Sequence, residues 1–472
     1  MTNSVVGTTA RPLRVAVVGS GPSAFYAVEA LFKIEGLHVR CDVFDRLPTP
    51  FGLVRGGVAP DHQKIKNVIR VYRKVAANPG FRFFGNVKLG RDLQVEDLTA
   101  AYDQIIYAVG SESARELGIP GENLDGVTSA TEFVFWYNGH PDYRDREFDL
   151  KGATRVAVVG NGNVAMDVCR VLIQDPEQLA STDIADYALE ALRESGIKEV
   201  LLLGRRGPAQ AAFSPKEITE IAELEGVDLV MDPSSVEVDP VTAAWMEDGA
   251  PKSARKNLDF LTNKAAEGPG ESEKKVHGRF LVSPVELRGT DGRVSSVRLQ
   301  HSELFADDAG TPRPRGLDQY SDEPVQMVFA AIGYRGIPIP GVPFHEKWGI
   351  IPNDAGRVVT EIDGPVVPNQ YVVGWAKRGP SGLIGTNSPD SKATVEKMIE
   401  DLPALAGEEL APDESQRIVD LLKQRSIAYV TYPDWERLDK LEIERGEAEG
   451  RVRRKFTEIS EMLEALGRNQ EG

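Results

Sequence analysis

The chain has 472 residues, of which 41% are hydrophobic and 27% are charged, a composition typical of a globular protein with about two to four domains. Its 72 acidic and 55 basic residues give a net charge of −17, which argues against non-specific binding of nucleic acid. The 2 cysteines, Cys41 and Cys169, form no CxxC pair, which argues against a dithiol redox motif, a cysteine-ligated iron–sulfur cluster and a zinc ribbon.

The N-terminal segment, residues 1–14, lacks the hydrophobic stretch of a signal peptide, and we expect it to be a disordered lead-in. No apolar run approaches the ~20 residues that a membrane-spanning helix needs. Because low cysteine usage suits a reducing compartment, we expect a cytoplasmic protein without a transmembrane segment.

The next part of the chain predicts a βαβ unit, which then recurs. The first unit consists of a strand, a helix and a strand at LRVAVVG (13–19), PSAFYAVEALFKI (22–34) and HVRCDVFDR (38–46). The same order is found at TRVAVVG (154–160), NVAMDVCRVLI (163–173) and KEVLLLGRR (198–206). The chain therefore carries two copies of a similar unit.

The remaining segments predict further strands and then helices. Two short strands end in glycine, at YDQIIYAVG (102–110) and VQMVFAAIGYRG (325–336). The polar segment 234–280 is expected to hold loops, whereas GRFLVSPVEL (278–287) and VSSVRLQHSEL (294–304) alternate like antiparallel strands. From residue 391 onward a surface-packed helical tail is predicted, at SKATVEKMIEDLPAL, DESQRIVDLLKQR and KFTEISEMLEAL.

The first unit carries a dinucleotide-binding fingerprint, GSGPSA, from Gly19 to Ala24. Gly19 permits the tight turn, and Gly21 lets backbone N–H groups at the helix N-terminus approach a pyrophosphate. Asp45 ends the following strand, where a carboxylate accepts ribose hydroxyls and disfavours a 2′-phosphate. This site is therefore predicted to bind FAD or NAD(H) rather than NADP(H).

The second unit carries a similar fingerprint, GNGNVA, from Gly160 to Ala165. Its following strand ends in Arg205 and Arg206, whose guanidinium groups suit the 2′-phosphate of NADP(H). Opposite charges at the two ribose positions indicate two different nucleotides, most economically FAD and NADP(H). Together these cofactors imply hydride transfer between nicotinamide and flavin.

Several motifs, specific as a set, extend over almost the whole chain: GSGPSAFYA, PTPFGLVRGGVAPDHQKIK, YAVG, LGIPGENLDGV, GNGNVAMDV, GRRGPAQAAFSPKE and GWAKRGPSGLIGTN. Together they resemble the adrenodoxin-reductase type of ferredoxin–NADP⁺ reductase, and especially the bacterial NADPH–ferredoxin reductases. The resemblance implies an α/β fold with two Rossmann-like dinucleotide-binding domains. The FAD domain would comprise residues 1–110 and 337–472, including the helical C-terminal tail. The NADP domain, residues 111–336, would be inserted between these two parts.

The resemblance also implies the cofactor-binding residues. Those for FAD would be Gly19, Gly21, Ser23, Ala24, Asp45, Gly52, Leu53, Val54, Val87, Trp375, Gly382, Leu383 and Ile384. Those for NADP(H) would be Asn161, Gly162, Asn163, Val164, Arg205, Arg206 and Glu217. Trp375 is expected to form a wall beside the isoalloxazine, and residues 387–390 are expected to cap the helix that follows.

His62 occupies the position of a histidine that the family places near the nicotinamide, and Glu220 matches its acidic partner. The pair is a candidate for tuning charge or relaying a proton, and an ordered loop is the structural alternative. Between Arg55 and Lys74 lies a cluster of basic residues, completed by Lys64, Lys66, Arg70 and Arg73. This segment is either a docking face for an acidic ferredoxin or a solvated helix face.

The predicted function is that of a flavoprotein reductase, which transfers a hydride between NADPH and FAD and single electrons between FAD and a ferredoxin-type iron–sulfur protein. The alternatives are an NADPH-dependent diaphorase or quinone reductase, a disulfide-type flavoprotein oxidoreductase, a flavin monooxygenase, and a non-catalytic nucleotide-binding sensor. The absence of a redox-active cysteine pair argues against a disulfide-type oxidoreductase, and the intact fingerprints argue against a non-catalytic sensor.

Overall fold

The computed structural model describes residues 6–405 and 414–468, which fall into two compact units. The first unit comprises the chain up to Ser113, the short segment Asn138–Pro141 and the chain from Tyr334 onward. The second unit comprises Ala114–Tyr137 and Asp142–Gly333.

The strands follow this order: β1 (Leu13–Val18), β2 (Val39–Phe44), β3 (Phe81–Phe84), β4 (Gln104–Tyr107), β5 (Ser113–Ala114), β6 (Val127–Ser129), β7 (Arg155–Val159), β8 (Glu199–Gly204), β9 (Val227–Met231), β10 (Lys274–Phe280), β11 (Val282–Thr290), β12 (Arg293–Ala306), β13 (Pro312–Pro324), β14 (Met327–Ala330), β15 (Tyr334–Arg335), β16 (Asn353–Asp354), β17 (Arg357–Val359) and β18 (Val366–Val372).

The α-helices follow this order: α1 (Pro22–Phe32), α2 (Leu53–Gly56), α3 (Gln63–Lys66), α4 (Ile69–Ala76), α5 (Val95–Ala101), α6 (Ala130–Tyr137), α7 (Asn163–Ile173), α8 (Pro176–Ala180), α9 (Asp186–Arg193), α10 (Pro215–Ala222), α11 (Pro240–Glu247), α12 (Lys252–Glu267), α13 (Trp375–Arg378), α14 (Asn387–Glu400), α15 (Glu414–Gln424), α16 (Tyr432–Glu447) and α17 (Ile459–Ala465). Within the described residues, none of these helices is long and apolar enough to cross a membrane.

The first unit is built on a sheet with the strand order β16-β17-β18-β4-β1-β2-β3. Its central strands β18, β4, β1, β2 and β3 are parallel, and β16 and β17 add an antiparallel edge. Every residue of β1 is buried, because apolar side chains cover both faces of the sheet. This arrangement places the carboxyl ends of β1 and β2 side by side, where the first fingerprint lies.

The second unit is built on a parallel sheet with the order β6-β14-β7-β8-β10-β9. A separate antiparallel sheet, β11-β12-β13, packs on one of its faces through residues such as Val297 and Leu299. The second fingerprint follows β7 in the same way as the first follows β1. The predicted α/β fold with two dinucleotide-binding units and a helical C-terminal end is confirmed.

Three details of the predicted elements were wrong. The expected strand 278–287 is split at Leu281, whose positive φ of 56° turns the chain from the parallel strand β10 into the antiparallel strand β11. The segment 234–280 holds two helices, α11 and α12, because Leu258 and Leu261 of α12 supply a buried apolar stripe. From Val6 the N-terminal segment is ordered, since Gly7 N–H donates to the Arg11 carbonyl and Arg11 pairs with Asp103.

The helical tail is found, but its expected surface character was wrong. Helix α16 buries Trp435, Leu438 and Glu442, so part of the tail belongs to the core of the first unit. Residue Asp413 of the predicted tail lies outside the described residues.

Candidate cofactor-binding sites

The first fingerprint has the geometry of a dinucleotide-binding loop. Gly19 has φ +98°, and a Cβ placed there would lie 2.4 Å from the Ala108 carbonyl oxygen, so the turn admits no side chain. Gly21 is the N-cap of α1, and a Cβ there would meet no atom within 4 Å. The backbone at the helix N-terminus therefore faces open space, where a pyrophosphate can approach it. Ser23 and Ala24 lie in the first turn of the same helix, both buried.

Asp45 lies beside this loop and is held by Ser20, a residue that was not among those predicted from the sequence. Its Oδ2 accepts hydrogen bonds from the backbone N–H of Ser20 at 2.9 Å and from the Ser20 hydroxyl, and its Oδ1 accepts one from the N–H of Leu47. Burial raises the pKa of Asp45, against the opposing effect of these hydrogen bonds. Val87 is buried next to it, since the Val87 N–H donates to the Asp45 carbonyl at 2.8 Å. The structure thus brings Asp45 and Val87 together at the predicted adenosine end.

The predicted flavin-lining segment, Gly52 to Val54, packs on the same loop. A Cβ at Gly52 would lie 3.0 Å from the Cα of Gly21, so the two backbones touch. Leu53 is partly exposed, whereas Val54 is buried in the core of the unit. Gly52 therefore has to be a glycine for this turn to reach the fingerprint.

The segment from Gly374 to Asn387 meets the fingerprint helix from another side. Gly374 has φ +70°, and a Cβ there would lie 2.5 Å from the Ser23 hydroxyl. Trp375 begins the short helix α13, is half-buried, and donates from its indole nitrogen to the Ser381 carbonyl at 3.2 Å. The structure therefore packs Gly374, the residue before Trp375, against Ser23 of the first fingerprint helix.

The tip of this segment is exposed. Leu383 has 64% of its surface accessible, Gly382 has φ +80°, and Ile384 is half-buried against the core. The expectation that residues 387–390 cap the next helix was wrong, because α14 already begins at Asn387. Asp390 instead accepts the backbone N–H of Gly374 at 2.7 Å and so fixes the turn before Trp375.

The second fingerprint repeats the geometry of the first. Gly160 has φ +139°, and a Cβ there would lie 2.3 Å from the Ala331 carbonyl oxygen. Gly162 is the N-cap of α7 with open space around its Cα, and Val164 in the first turn packs on the core. The Asn161 carbonyl accepts the N–H groups of Ala212 and Phe213, which holds the next loop against the fingerprint.

Two asparagines complete this loop. Asn163 accepts the N–H of Ser214 through its side-chain oxygen at 2.8 Å. The side-chain nitrogen of Asn161 is buried and has no hydrogen-bond partner among the described residues. A buried donor without a partner is costly, so this amide fits a site that holds a hydrogen-bond acceptor such as a nucleotide.

Arg205 and Arg206 follow β8 as predicted. Arg205 is exposed and Arg206 half-buried, and in the described part of the chain neither pairs with a carboxylate. Burial, followed by the neighbouring guanidinium groups of Arg205 and Arg313, lowers the pKa of Arg206. Arg313 itself pairs with Asp307 at 2.8 Å, so the two cations without a carboxylate partner are Arg205 and Arg206, and such a pair suits a phosphate. Sequence reasoning missed Arg313, because it is distant in the chain and enters from β13.

Glu217 and Glu220 lie on α10 of the second unit. Glu217 is buried and pairs with Arg170 at 3.4 Å, and Glu220 pairs with Lys216 at 2.6 Å, one helical turn away. His62 belongs to the first unit, where it is buried at the N-terminal end of α3. The pairing of His62 with Glu220 stays a prediction.

Only some of the basic residues in the predicted docking segment are exposed. Arg55 makes a two-pronged ion pair with the fully buried Glu442, and Lys66 is itself buried. Arg73 pairs with Asp439 at 2.6 Å. Including Arg55 and Lys66 in an exposed face was therefore wrong, because Arg55 pairs with a buried carboxylate and Lys66 is itself buried.

The residues at both sites fit dinucleotide cofactors. Open space at the two helix N-terminal glycines and the unpartnered Asn161 amide provide positions for pyrophosphate and hydrogen-bond acceptors. Cys41 and Cys169 are free and buried, and burial raises the pKa of both thiols, so they are not reactive. Two dinucleotide-binding units without a thiol pair define an oxidoreductase that works with two nucleotide cofactors.

Comparison with known proteins agrees with this class. The family described as pyridine nucleotide-disulphide oxidoreductase matches residues 13–248. The NADPH-ferredoxin reductase FprA of Mycobacterium tuberculosis is 45% identical over 463 residues, which cover 96% of this chain and 99% of that protein. The mitochondrial NADPH:adrenodoxin oxidoreductase of Homo sapiens is 41% identical over 96% of this chain and 92% of its own.

A solved structure of Mycobacterium tuberculosis FprA in complex with NADPH superposes with a TM-score of 0.91 at 43% identity, covering 97% of this chain and 100% of that one. The chain belongs to the pyridine nucleotide-disulphide oxidoreductase family and, within it, to the adrenodoxin-reductase type of NADPH–ferredoxin reductase. As a member of this family it is a flavoprotein that binds FAD and NADP(H), as predicted from its two fingerprints.

Proposed function

We propose that this chain is a ferredoxin–NADP⁺ reductase in which the first unit binds FAD and the second binds NADP(H). The observation that carries the proposal is the opposite charge of the two ribose positions, Asp45 in one unit and Arg205 with Arg206 in the other. A carboxylate repels a 2′-phosphate and a guanidinium pair attracts it, so each unit selects its own nucleotide. When bound, FAD supplies the conversion between the two-electron hydride chemistry of NADPH and single-electron transfer to an iron–sulfur protein.

The residues of the first unit bind and orient the flavin nucleotide. The N–H groups at the start of α1 receive the pyrophosphate, and Asp45 accepts the ribose hydroxyls through the lone pairs that Ser20 and Leu47 leave open. The segment Gly52 to Val54 and the segment Gly382 to Ile384 line the isoalloxazine. Trp375 would stand beside the bound isoalloxazine and exclude water from it.

The residues of the second unit bind NADP(H) in a matching way. Asn161 donates its free amide, and Gly162 to Val164 present the N-terminus of α7 to the pyrophosphate. Arg205 and Arg206 would bind the 2′-phosphate, and Glu217, which pairs with Arg170, would help to hold NADP(H). His62 and Glu220 are proposed to tune the charge at the nicotinamide or to hold a proton there.

The electron acceptor is proposed to be an acidic ferredoxin-type carrier that docks on the exposed cations of α3 and α4. These are Lys64, Arg70 and Lys74, which remain once the buried and internally paired residues are removed from the basic segment. A cationic face on a chain of net charge −17 would orient an acidic partner during encounter. A reducing, cytoplasmic location is also proposed, and the two free cysteines support it.

The proposal is tested by NADPH-dependent reduction of cytochrome c, measured with and without each purified ferredoxin. We expect little reduction without a ferredoxin and a strong, saturable increase with the cognate one. Equal rates with and without ferredoxin would favour the diaphorase alternative, in which the flavin reduces quinones or dyes directly. Reduction of a disulfide substrate is not expected, because the chain lacks a reactive thiol pair.

A further inference from the structure

The flavin-lining segment begins with a strained turn. Phe51 is a non-glycine residue with φ +85°, and Gly52 follows with φ +49°. The Phe51 N–H donates to the Ser20 carbonyl at 3.0 Å, and Gly52 touches the Cα of Gly21. A bulky residue with positive φ persists only where the surrounding structure holds it in place.

An aromatic cluster holds the Phe51 side chain. The Phe51 ring is 99% buried and lies 5.5 Å from the ring of Phe25 on α1 and 6.0 Å from that of Tyr72 on α4. Trp435 of α16 packs edge-on against it, with ring centroids 5.8 Å apart. The C-terminal tail therefore supplies one wall of the pocket that fixes the strained residue.

An ion pair joins the same tail helix to the next turn of the segment. The guanidinium of Arg55, two residues after Leu53, donates to both carboxylate oxygens of Glu442 at 2.5 and 2.8 Å. It also lies over the Trp435 ring, 5.1 Å from the centroid. From the last part of the tail, Lys455 donates to the Arg55 carbonyl at 3.1 Å. Helix α2 is thus held through both the side chain and the backbone carbonyl of Arg55.

Glu442 is fully enclosed by partners. Its side chain is 0% exposed, and it also accepts hydrogen bonds from Arg453 at 3.1 Å and from the N–H of Phe456 at 2.9 Å. Burial alone would raise the pKa of Glu442, but Arg55, Arg453 and the Phe456 N–H hold it below its usual value. The carboxylate is therefore charged, and its strongest partner is Arg55, which follows the Phe51–Gly52 turn in the chain.

We propose that Glu442 and Arg55 are positioning residues, through which the C-terminal tail clamps the strained Phe51–Gly52 turn onto the fingerprint loop and so controls how tightly FAD is held. The inference rests on the proposed function of the first unit. Packing of the tail needs no charge, since Trp435 and Leu438 already bury it, and a buried ion pair is a weak source of stability. The Arg55–Glu442 ion pair instead fixes the position of Arg55, because a pair with two hydrogen bonds holds the guanidinium group in one orientation.

The test compares FAD release from the full chain reconstituted with FAD, followed by flavin fluorescence after dilution. The variants are Glu442→Gln, Arg55→Met and the double variant R55M/E442Q, and the control is Glu444→Gln, an exposed acid on the same helix. We expect each of the three variants to release FAD about tenfold faster than wild type, which corresponds to about 1.4 kcal/mol in the release barrier. Glu444→Gln is expected to match wild type.

The double variant separates positioning from folding. Replacing both partners leaves no unpaired charge in the core, because Arg453, the other cation at Glu442, still pairs with Asp439 at 2.7 Å, so its thermal unfolding should stay close to that of wild type. Faster FAD release from a normally stable double variant supports the proposal. A double variant that retains FAD as wild type does would overturn it, whatever its melting temperature and whether or not the single variants fold.

Failure of the proposed function gives a different result. A wild-type chain that takes up no FAD refutes the assignment of the first unit, and this inference with it. A wild-type chain that holds FAD, is reduced by NADPH and releases FAD no faster after R55M/E442Q refutes only the clamp. The absorption spectrum of the bound flavin, recorded for each variant, gives a second readout of the same position.

Discussion

At the scale of single residues, we propose that the second nucleotide site depends on the unpaired guanidinium groups of Arg205 and Arg206. Arg206 is half-buried, with Arg205 and Arg313 as cationic neighbours, and burial together with these neighbours lowers its pKa. Such a group is stabilised by a dianionic phosphate more than by water. We therefore attribute the choice of NADPH over NADH chiefly to Arg206.

Arg206→Gln should raise the KM for NADPH by about 10- to 100-fold, since a hydrogen bond to a charged group contributes about 1.5–3 kcal/mol. The KM for NADH should change little, because NADH has no 2′-phosphate. Steady-state kinetics with both nucleotides measures this, with Arg255→Gln, an exposed arginine of α12, as the control. An equal loss for the two nucleotides would contradict the assignment.

Trp375 is expected to control access of the nicotinamide to the flavin. Its ring is half-buried, 5.3 Å from that of Tyr334, and its indole nitrogen bonds to the Ser381 carbonyl. Trp375→Ala should change the affinity for NADP⁺ and its exchange rate, whereas Trp375→Phe, which keeps an aromatic wall, should change them less. Titration of the flavin spectrum with NADP⁺ measures both. If the alanine variant alters neither, Trp375 has only a packing role.

His62 is proposed to act at the nicotinamide through its charge or its proton. His62→Ala should lower the rate of hydride transfer and alter its pH profile, because the imidazole that is proposed to carry charge or a proton there is removed. Rapid mixing with NADPH across a pH series measures this. His38→Ala, which alters an exposed histidine of the same unit, serves as the control. An unchanged rate and profile would leave His62 with a structural role only.

At the scale of elements, local signals predicted where the two fingerprint loops lie in the fold. The glycines after β1 and β7 and the charged residues after β2 and β8 lie where the βαβ pattern places them. The partners that hold these residues could not be predicted, because they are distant in sequence. Asp390 fixes Gly374 from the next helix, and Glu442 reaches Arg55 across 387 positions of the chain. Helix α12 was missed because its exposed side dominates its composition.

The helices α3 and α4 form the proposed docking face. Lys64, Arg70 and Lys74 are exposed there, beside the partly exposed apolar residues Ile65 and Val71. This mixture of cations and apolar groups is typical of a transient protein interface.

The double charge reversal R70E/K74E should raise the KM for ferredoxin about tenfold at low salt, with a smaller effect at high salt, because steering by charge is screened. The KM for NADPH should stay unchanged. Lys256→Glu, an exposed charge on α12, provides the matched control. Equal changes for ferredoxin and NADPH, or no dependence on salt, would count against this docking face.

At the scale of the whole molecule, one chain combines two dinucleotide-binding units, for which we propose opposite selectivity. Each unit repeats the same strand, glycine turn and helix, and the residue after the second strand is acidic in one unit, Asp45, and basic in the other, Arg205. The C-terminal tail packs against an early part of the chain. Trp435 of α16 contacts Phe51, and Glu442 of the same helix pairs with Arg55. We therefore expect this flavoprotein to accept electrons from NADPH rather than from NADH.

The most direct test of this central claim is anaerobic mixing of the purified, FAD-loaded chain with NADPH or NADH, followed by flavin absorbance. We predict that NADPH bleaches the flavin rapidly and in proportion to the amount added, and that NADH does so much more slowly. A chain that does not take up FAD, or a yellow protein that NADPH fails to bleach, would contradict the account.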